Sequence, residues 1–142
     1  MRLGNNELTI GQQVRAMASL FPQFEYRRKR NKRGRQYSAW QGTLQPTNGS
    51  PVYTIKIILP AYYPSVWVLA PQLSPNAPHI YTEDQSLCLY YPSDRSWNRQ
   101  KLLAETIVPW TAEWLYLYEL WCVTGEWYGS EAPHNEKRRG KK

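Results

Sequence analysis

Cys88 and His79 are the residues whose types and spacing most directly suggest chemistry. A thiol attacks as its thiolate, and an imidazole nine positions upstream can be folded back beside it as a base, a hydrogen-bond donor or mere packing. Between them, Thr82-Glu83-Asp84-Gln85 is a polar turn that delivers Ser86-Leu87-Cys88-Leu89-Tyr90 as a short apolar segment. On local composition alone, a cysteine flanked by leucines reads first as a small buried hydrophobe. Cys122, the other cysteine, ends a Trp-rich stretch and reads as structural. His134 lies near the frayed end of the chain and reads as solvent-exposed.

Other chemistries fit less well. No asparagine or further ligand completes a protease-like set around Cys88. Neither G-x-G-x-x-G nor G-x-x-x-x-G-K-[ST] occurs, so this chain is not expected to activate a substrate with nucleotide. Two isolated cysteines with 33 residues between them make neither a disulfide scaffold nor a zinc site. No metal and no cofactor is expected.

The formal net charge of +7 suggests nucleic acid at first, but its distribution argues otherwise. Positions 27–35 hold seven basic residues and positions 137–142 hold five, and neither block contains any of the 11 acids. What remains carries 6 positive and 11 negative charges, an acidic domain with a basic hairpin and a basic tail. Within the hairpin run the aromatic interleaving that stacks on single strands is missing. Arg27, Arg28, Arg30 and Arg33 therefore read as a solvated tip or as a face that docks a protein partner, and nucleic acid is not the expected partner.

These residues need a scaffold, and 142 residues with 42% hydrophobic and 14% aromatic content suffice for one domain. Apolar residues over positions 8–20 include Val14, Met17 and Ala18 at helical spacing, closed by Phe21-Pro22. Positions 24–28 and 36–44 read as strands joined by Asn31-Lys32-Arg33-Gly34. After a turn at Asn48-Gly49, strict alternation over 52–59 gives the best strand signal in the chain. Prolines at 60, 64, 71, 75 and 78 then impose a stiff crossing, with room for a short edge strand at 67–70. From Thr106, Ile107, Trp110, Trp114, Leu117 and Trp121 form an apolar helical stripe, with Pro109 in the first turn and Gly125 as the stop. The reading is α+β: an N-terminal helix, an antiparallel meander of about four strands, a Pro-rich crossing with the Cys88 loop, and a C-terminal helix. One domain is expected over residues 1–135, with 136–142 a basic disordered tail. No apolar run reaches the ~18 residues of a membrane span and no signal-peptide block opens the chain, so a cytoplasmic location off the membrane is expected.

In order, the chain shows a helix, a meander, Tyr63-Pro64, a Pro-rich crossing, a Leu-Cys-Leu segment, Trp97 nine residues after Cys88, and a long helix. Over roughly residues 8–125 this resembles the ubiquitin-conjugating enzymes and their UBC fold. More closely it resembles the bacterial branch found in type II CBASS antiphage operons, in its stand-alone form. That likeness rests on Pro78-His79-Ile80-Tyr81, Ser86-Leu87-Cys88-Leu89-Tyr90-Tyr91-Pro92, Thr106-Ile107-Val108-Pro109-Trp110-Thr111-Ala112-Glu113-Trp114-Leu115, and Thr124-Gly125-Glu126-Trp127-Tyr128-Gly129.

The resemblance implies that Cys88 forms a thioester with the C-terminus of a cGAS-like nucleotidyltransferase and passes it to an acceptor. It implies that His79 polarises the oxyanion or shuttles a proton, and that Tyr81, Asp84 and Trp97 shape the cleft. Trp121, Trp127 and the basic hairpin would dock the partner. One departure stands out: the asparagine of the eukaryotic His-Pro-Asn triplet, the usual oxyanion donor, has no counterpart. Asn76 is too far upstream, and His79 sits near the position. Loss of such a donor costs on the order of 10²–10³ in rate, so His79 or a backbone N–H replaces it, or transfer is slow. The alternative is a non-catalytic UBC-like module that holds and regulates the nucleotidyltransferase.

Overall fold

The computed structural model of the chain describes residues 6–60, 63–90 and 97–129. The expected basic tail and His134 lie outside the described residues. Helix α1 spans Ile10–Leu20 and opens with a capping box: Gln12 N–H donates to Thr9 Oγ1 at 3.0 Å, and Thr9 N–H donates to Gln12 Oε1 at 2.8 Å. The helix therefore begins two residues later than the first apolar position.

Four strands follow, β1 (Glu25–Arg30), β2 (Gln36–Leu44), β3 (Tyr53–Leu59) and β4 (Ser65–Ala70). They form one antiparallel meander in the order β1-β2-β3-β4. The basic run turns where expected: Asn31 Oδ1 accepts the Arg33 and Arg35 N–H groups, and Gly34 takes φ +82°, a left-handed value that glycine adopts without strain. β3 alternates buried and half-buried along its whole length. The fourth strand begins two residues before the expected edge strand, because Pro64 precedes its first residue and costs no ladder hydrogen bond inside it.

The core lies between one face of this sheet and the C-terminal half. Trp40, Ile55, Ile57 and Val66 from the sheet meet Met17 of α1, Trp97 and Leu103, and helix α2, Ile107–Thr124. Gln13 of α1 is buried with both ends of its amide satisfied: Nε2 donates to Lys101 O at 3.0 Å and Oε1 accepts Leu103 N–H at 2.9 Å. It ties the first helix to the turn that launches the last.

The buried face of α2 differs from the expected stripe. It consists of Ile107, Val108, Thr111, Trp114, Leu115 and Tyr118, while Trp110, Leu117 and Trp121 are half-buried at its margin. Thr111 belongs inside because its hydroxyl donates to Ile107 O at 2.7 Å and needs no outside partner. Gly125 ends the helix at φ +81°, its N–H donating to Trp121 O at 2.8 Å. Among the described residues no helix is long and apolar enough to cross a membrane.

Candidate active site

The polar turn and the Leu-Cys-Leu segment build a small β-hairpin standing against the edge of β4. Ile80 and Leu87 pair across it, flanked by Tyr81 N–H to Ser86 O and Cys88 N–H to His79 O, both 2.9 Å. Register thus sets His79 directly opposite Cys88. The turn is closed by Gln85 N–H to Tyr81 O at 2.8 Å, with Gln85 at φ +67°. Asp84 Oδ1 accepts both the N–H and the hydroxyl of Ser86, at 2.9 and 2.7 Å. Two bonds fasten the hairpin to β4: Leu87 N–H donates to Val66 O at 2.8 Å, and Trp67 Nε1 donates to Asp84 O at 2.9 Å.

Cys88 is buried, 5% exposed. The phenol of Tyr90 lies near it, between the rings of Tyr63 and Trp110 at 6.2 and 6.3 Å. Tyr90 Oη donates to Pro64 O. Burial, with smaller contributions from Tyr63 and Cys88, pushes the Tyr90 phenol well above its ordinary value and keeps it a neutral donor. Tyr63-Pro64 is thereby brought to the cysteine from 25 residues away in sequence.

His79 is 6% exposed and has φ +58°, a left-handed conformation that costs a β-carbon-bearing residue about 1 kcal/mol. Its carbonyl accepts two donors, the Cys88 N–H and the indole Nε1 of Trp114 at 3.2 Å. Its ring packs on Trp127, with centroids 4.7 Å apart. Backbone and ring alike are thus held from outside the hairpin.

A family model described as a type II CBASS E2 protein matches residues 13–135. The chain belongs to that family. A search of curated proteins found no match. The matched span contains the whole hairpin and every residue packed on it.

In this type II CBASS E2 the other candidate residues fall into four groups. Tyr81 and Asp84 belong to the hairpin: Tyr81 Oη donates to Tyr90 O at 3.0 Å, and Asp84 closes the turn. Trp97 is 1% exposed and packs the core, its Nε1 donating to Thr106 Oγ1 at 3.0 Å. Trp121 and Trp127 are half-buried; Trp121 stacks on Tyr118, and Trp127 meets His79 and Trp114 at tilted angles. Arg27, Arg28, Arg30 and Arg33 are exposed, with Arg27 pairing Glu25 at 2.6 Å and Arg30 donating to Gly34 O at 2.8 Å. Arg28 lines a cleft of about 950 Å³ with Arg35, Arg99, Tyr37 and Leu59, and neither Cys88 nor His79 reaches it.

Sequence reasoning left Tyr90, Trp110 and Trp114 without roles at the site. All three stand inside the motifs named above, but only the fold sets Tyr90 near Cys88, Trp110 against Tyr90 and Trp114 on the His79 carbonyl. Cys122 departs from its structural reading: it is exposed near the end of α2. Among the described residues no group of three potential metal ligands occurs.

Proposed function

We propose that this E2 carries an acyl group on Cys88. The α+β arrangement then corresponds to a UBC-type fold with the cysteine on its active-site loop. The supporting observation is the bracing of that loop: Cys88 sits opposite His79 on a hairpin bonded to β4 and to α2, in a chain of the type II CBASS E2 family. The thiolate Sγ attacks the activated C-terminal carbonyl of a cGAS-like nucleotidyltransferase. A C–S bond forms as the bond to the activating leaving group breaks. An amine or thiol acceptor then attacks the thioester, and the thiolate departs. The basic hairpin of Arg27, Arg28, Arg30 and Arg33 docks the partner.

Intact mass after incubation with the activated partner should show an adduct that thiols remove. Cys88→Ala should abolish it, and Cys88→Ser should convert it to a thiol-stable ester. Persistence of the adduct in Cys88→Ala would sink the reading.

The burial of Cys88 supports a second reading, a binding module that holds the nucleotidyltransferase without chemistry. Under it, Cys88→Ala keeps both the complex and the antiphage phenotype; under the first, it keeps the complex and loses the phenotype.

A further inference from the structure

Beyond α2 the chain turns back on itself. Gly125 reverses the backbone, and Thr124 Oγ1 accepts Glu126 N–H at 3.0 Å, fixing the exit. The returning strand of chain lies against the helix so closely that a β-carbon on Gly129 would stand 2.6 Å from Leu117 Cδ1 and 3.0 Å from Trp127 Nε1. This seats the Trp127 indole between two rings, 5.4 Å from Trp114 and 4.7 Å from His79. Trp114 is also the residue whose indole N–H reaches the His79 carbonyl, the same oxygen that accepts Cys88 N–H.

We infer that Trp127 is a positioning residue for Cys88, acting through His79. The left-handed conformation of His79 is unfavourable for a side chain with a β-carbon and persists only where its surroundings enforce it. Here two indoles enforce it, Trp114 from the carbonyl side and Trp127 from the ring side. Release of Trp127 lets His79 relax, and the carbonyl that fixes the Cys88 N–H moves with it. The thiol then loses its set position while its surroundings stay apolar. Trp127 is half-buried at the end of a short strap, so it can be removed with little loss of core.

This inference rests on Cys88 as the acyl acceptor, and its test separates the two. In a Cys122→Ser background, wild type, Trp127→Ala, Trp127→Phe, Gly129→Val and Tyr128→Ala would be compared. Three readouts apply: single-turnover adduct formation against acyl-donor concentration, iodoacetamide alkylation of Cys88 followed by intact mass, and the NMR shifts of the His79 ring protons. Trp127→Ala should lower the maximal adduct rate about tenfold, as expected for a misplaced nucleophile, with the half-saturating donor concentration unchanged. It should raise Cys88 alkylation several-fold, at roughly the scale of a local opening, and remove the ring-current shift of His79. Gly129→Val should reproduce these effects by displacing an intact indole, Trp127→Phe should largely restore the rate, and Tyr128→Ala should match wild type.

Wild-type rates, alkylation and ring shifts in Trp127→Ala would overturn the inference. So would a slowing that tracks only lost stability while the His79 shift stays. If Trp127→Ala fails to fold, Gly129→Val and Trp127→Phe carry the comparison. If wild type forms no adduct, the Cys88 reading fails, and alkylation with the ring shifts still decides the strap.

Discussion

At the scale of single residues, the site is held by polar atoms that each answer two partners. Asp84 is exposed, yet its Oδ1 receives the N–H and the hydroxyl of Ser86, and its own carbonyl receives the Trp67 indole. What the turn requires is an acceptor at that position, not a charge. Asp84→Asn preserves an amide oxygen there, whereas Asp84→Ala leaves the buried Ser86 hydroxyl and N–H without it. Asp84→Ala should therefore destabilise the protein by about 1–2 kcal/mol, and Asp84→Asn by less than half of that. Urea denaturation midpoints of the two variants check it. Equal losses would show that the carboxylate charge matters instead. Trp97 likewise is buried, with its indole N–H on Thr106.

At the scale of elements, the sheet joins the hairpin to the rest of the fold, and one crossing limits what β2 tolerates. A β-carbon on Gly42 would stand 2.6 Å from Phe24 Cγ, 2.7 Å from Phe24 Cα and 2.8 Å from Gln23 O, so backbone as well as side chain would have to move. Gly42→Ala should cost about 1–3 kcal/mol by overpacking, seen as a lower chemical-denaturation midpoint with an unchanged slope. An unchanged midpoint would mean the entry to β1 can give way freely. These elements were readable from pattern to different degrees. Alternation over residues 52–59 predicts β3 to within one residue, because both faces of that strand are set by burial. The Asn31–Gly34 turn was equally plain, since its side-chain and glycine chemistry is local. The buried face of α2 was not: Thr111 and Tyr118 satisfy their own hydroxyls through Ile107 O and Ser74 N–H, and composition cannot show that. The pairing of His79 with Cys88 followed from a short turn. The arrival of Tyr63, Trp114 and Trp127 depended on contacts between distant segments, which no local spacing encodes.

At the scale of the whole molecule, buried and half-buried phenols sit on the seams between segments. Tyr53 donates to Glu119 at 2.7 Å and joins β3 to α2, with Ser50 on the other carboxylate oxygen at 2.8 Å. Tyr118 accepts Ser74 N–H at 2.8 Å and joins α2 to the Pro-rich crossing. Tyr90 joins the Cys88 segment to Pro64. Burial raises all three phenols above their ordinary value, helped at Tyr53 by Glu119, at Tyr118 by Cys122 and at Tyr90 by Tyr63. A phenol whose folded pKa lies above its unfolded one keeps its proton in the fold while the unfolded chain loses it. Its contribution is therefore complete below the ordinary tyrosine pKa of about 10 and is lost as pH rises beyond it. Stability should hold level up to about pH 9.5 and then fall, by at most about 1.4 kcal/mol per pH unit for each such phenol. Denaturation midpoints across that range, with phenolate absorbance recorded in parallel, test this directly. Tyr90→Phe removes one of the three raised phenols and should make the alkaline fall shallower by about a third; a slope as steep as wild type would show that the seam at the cysteine is held by packing alone.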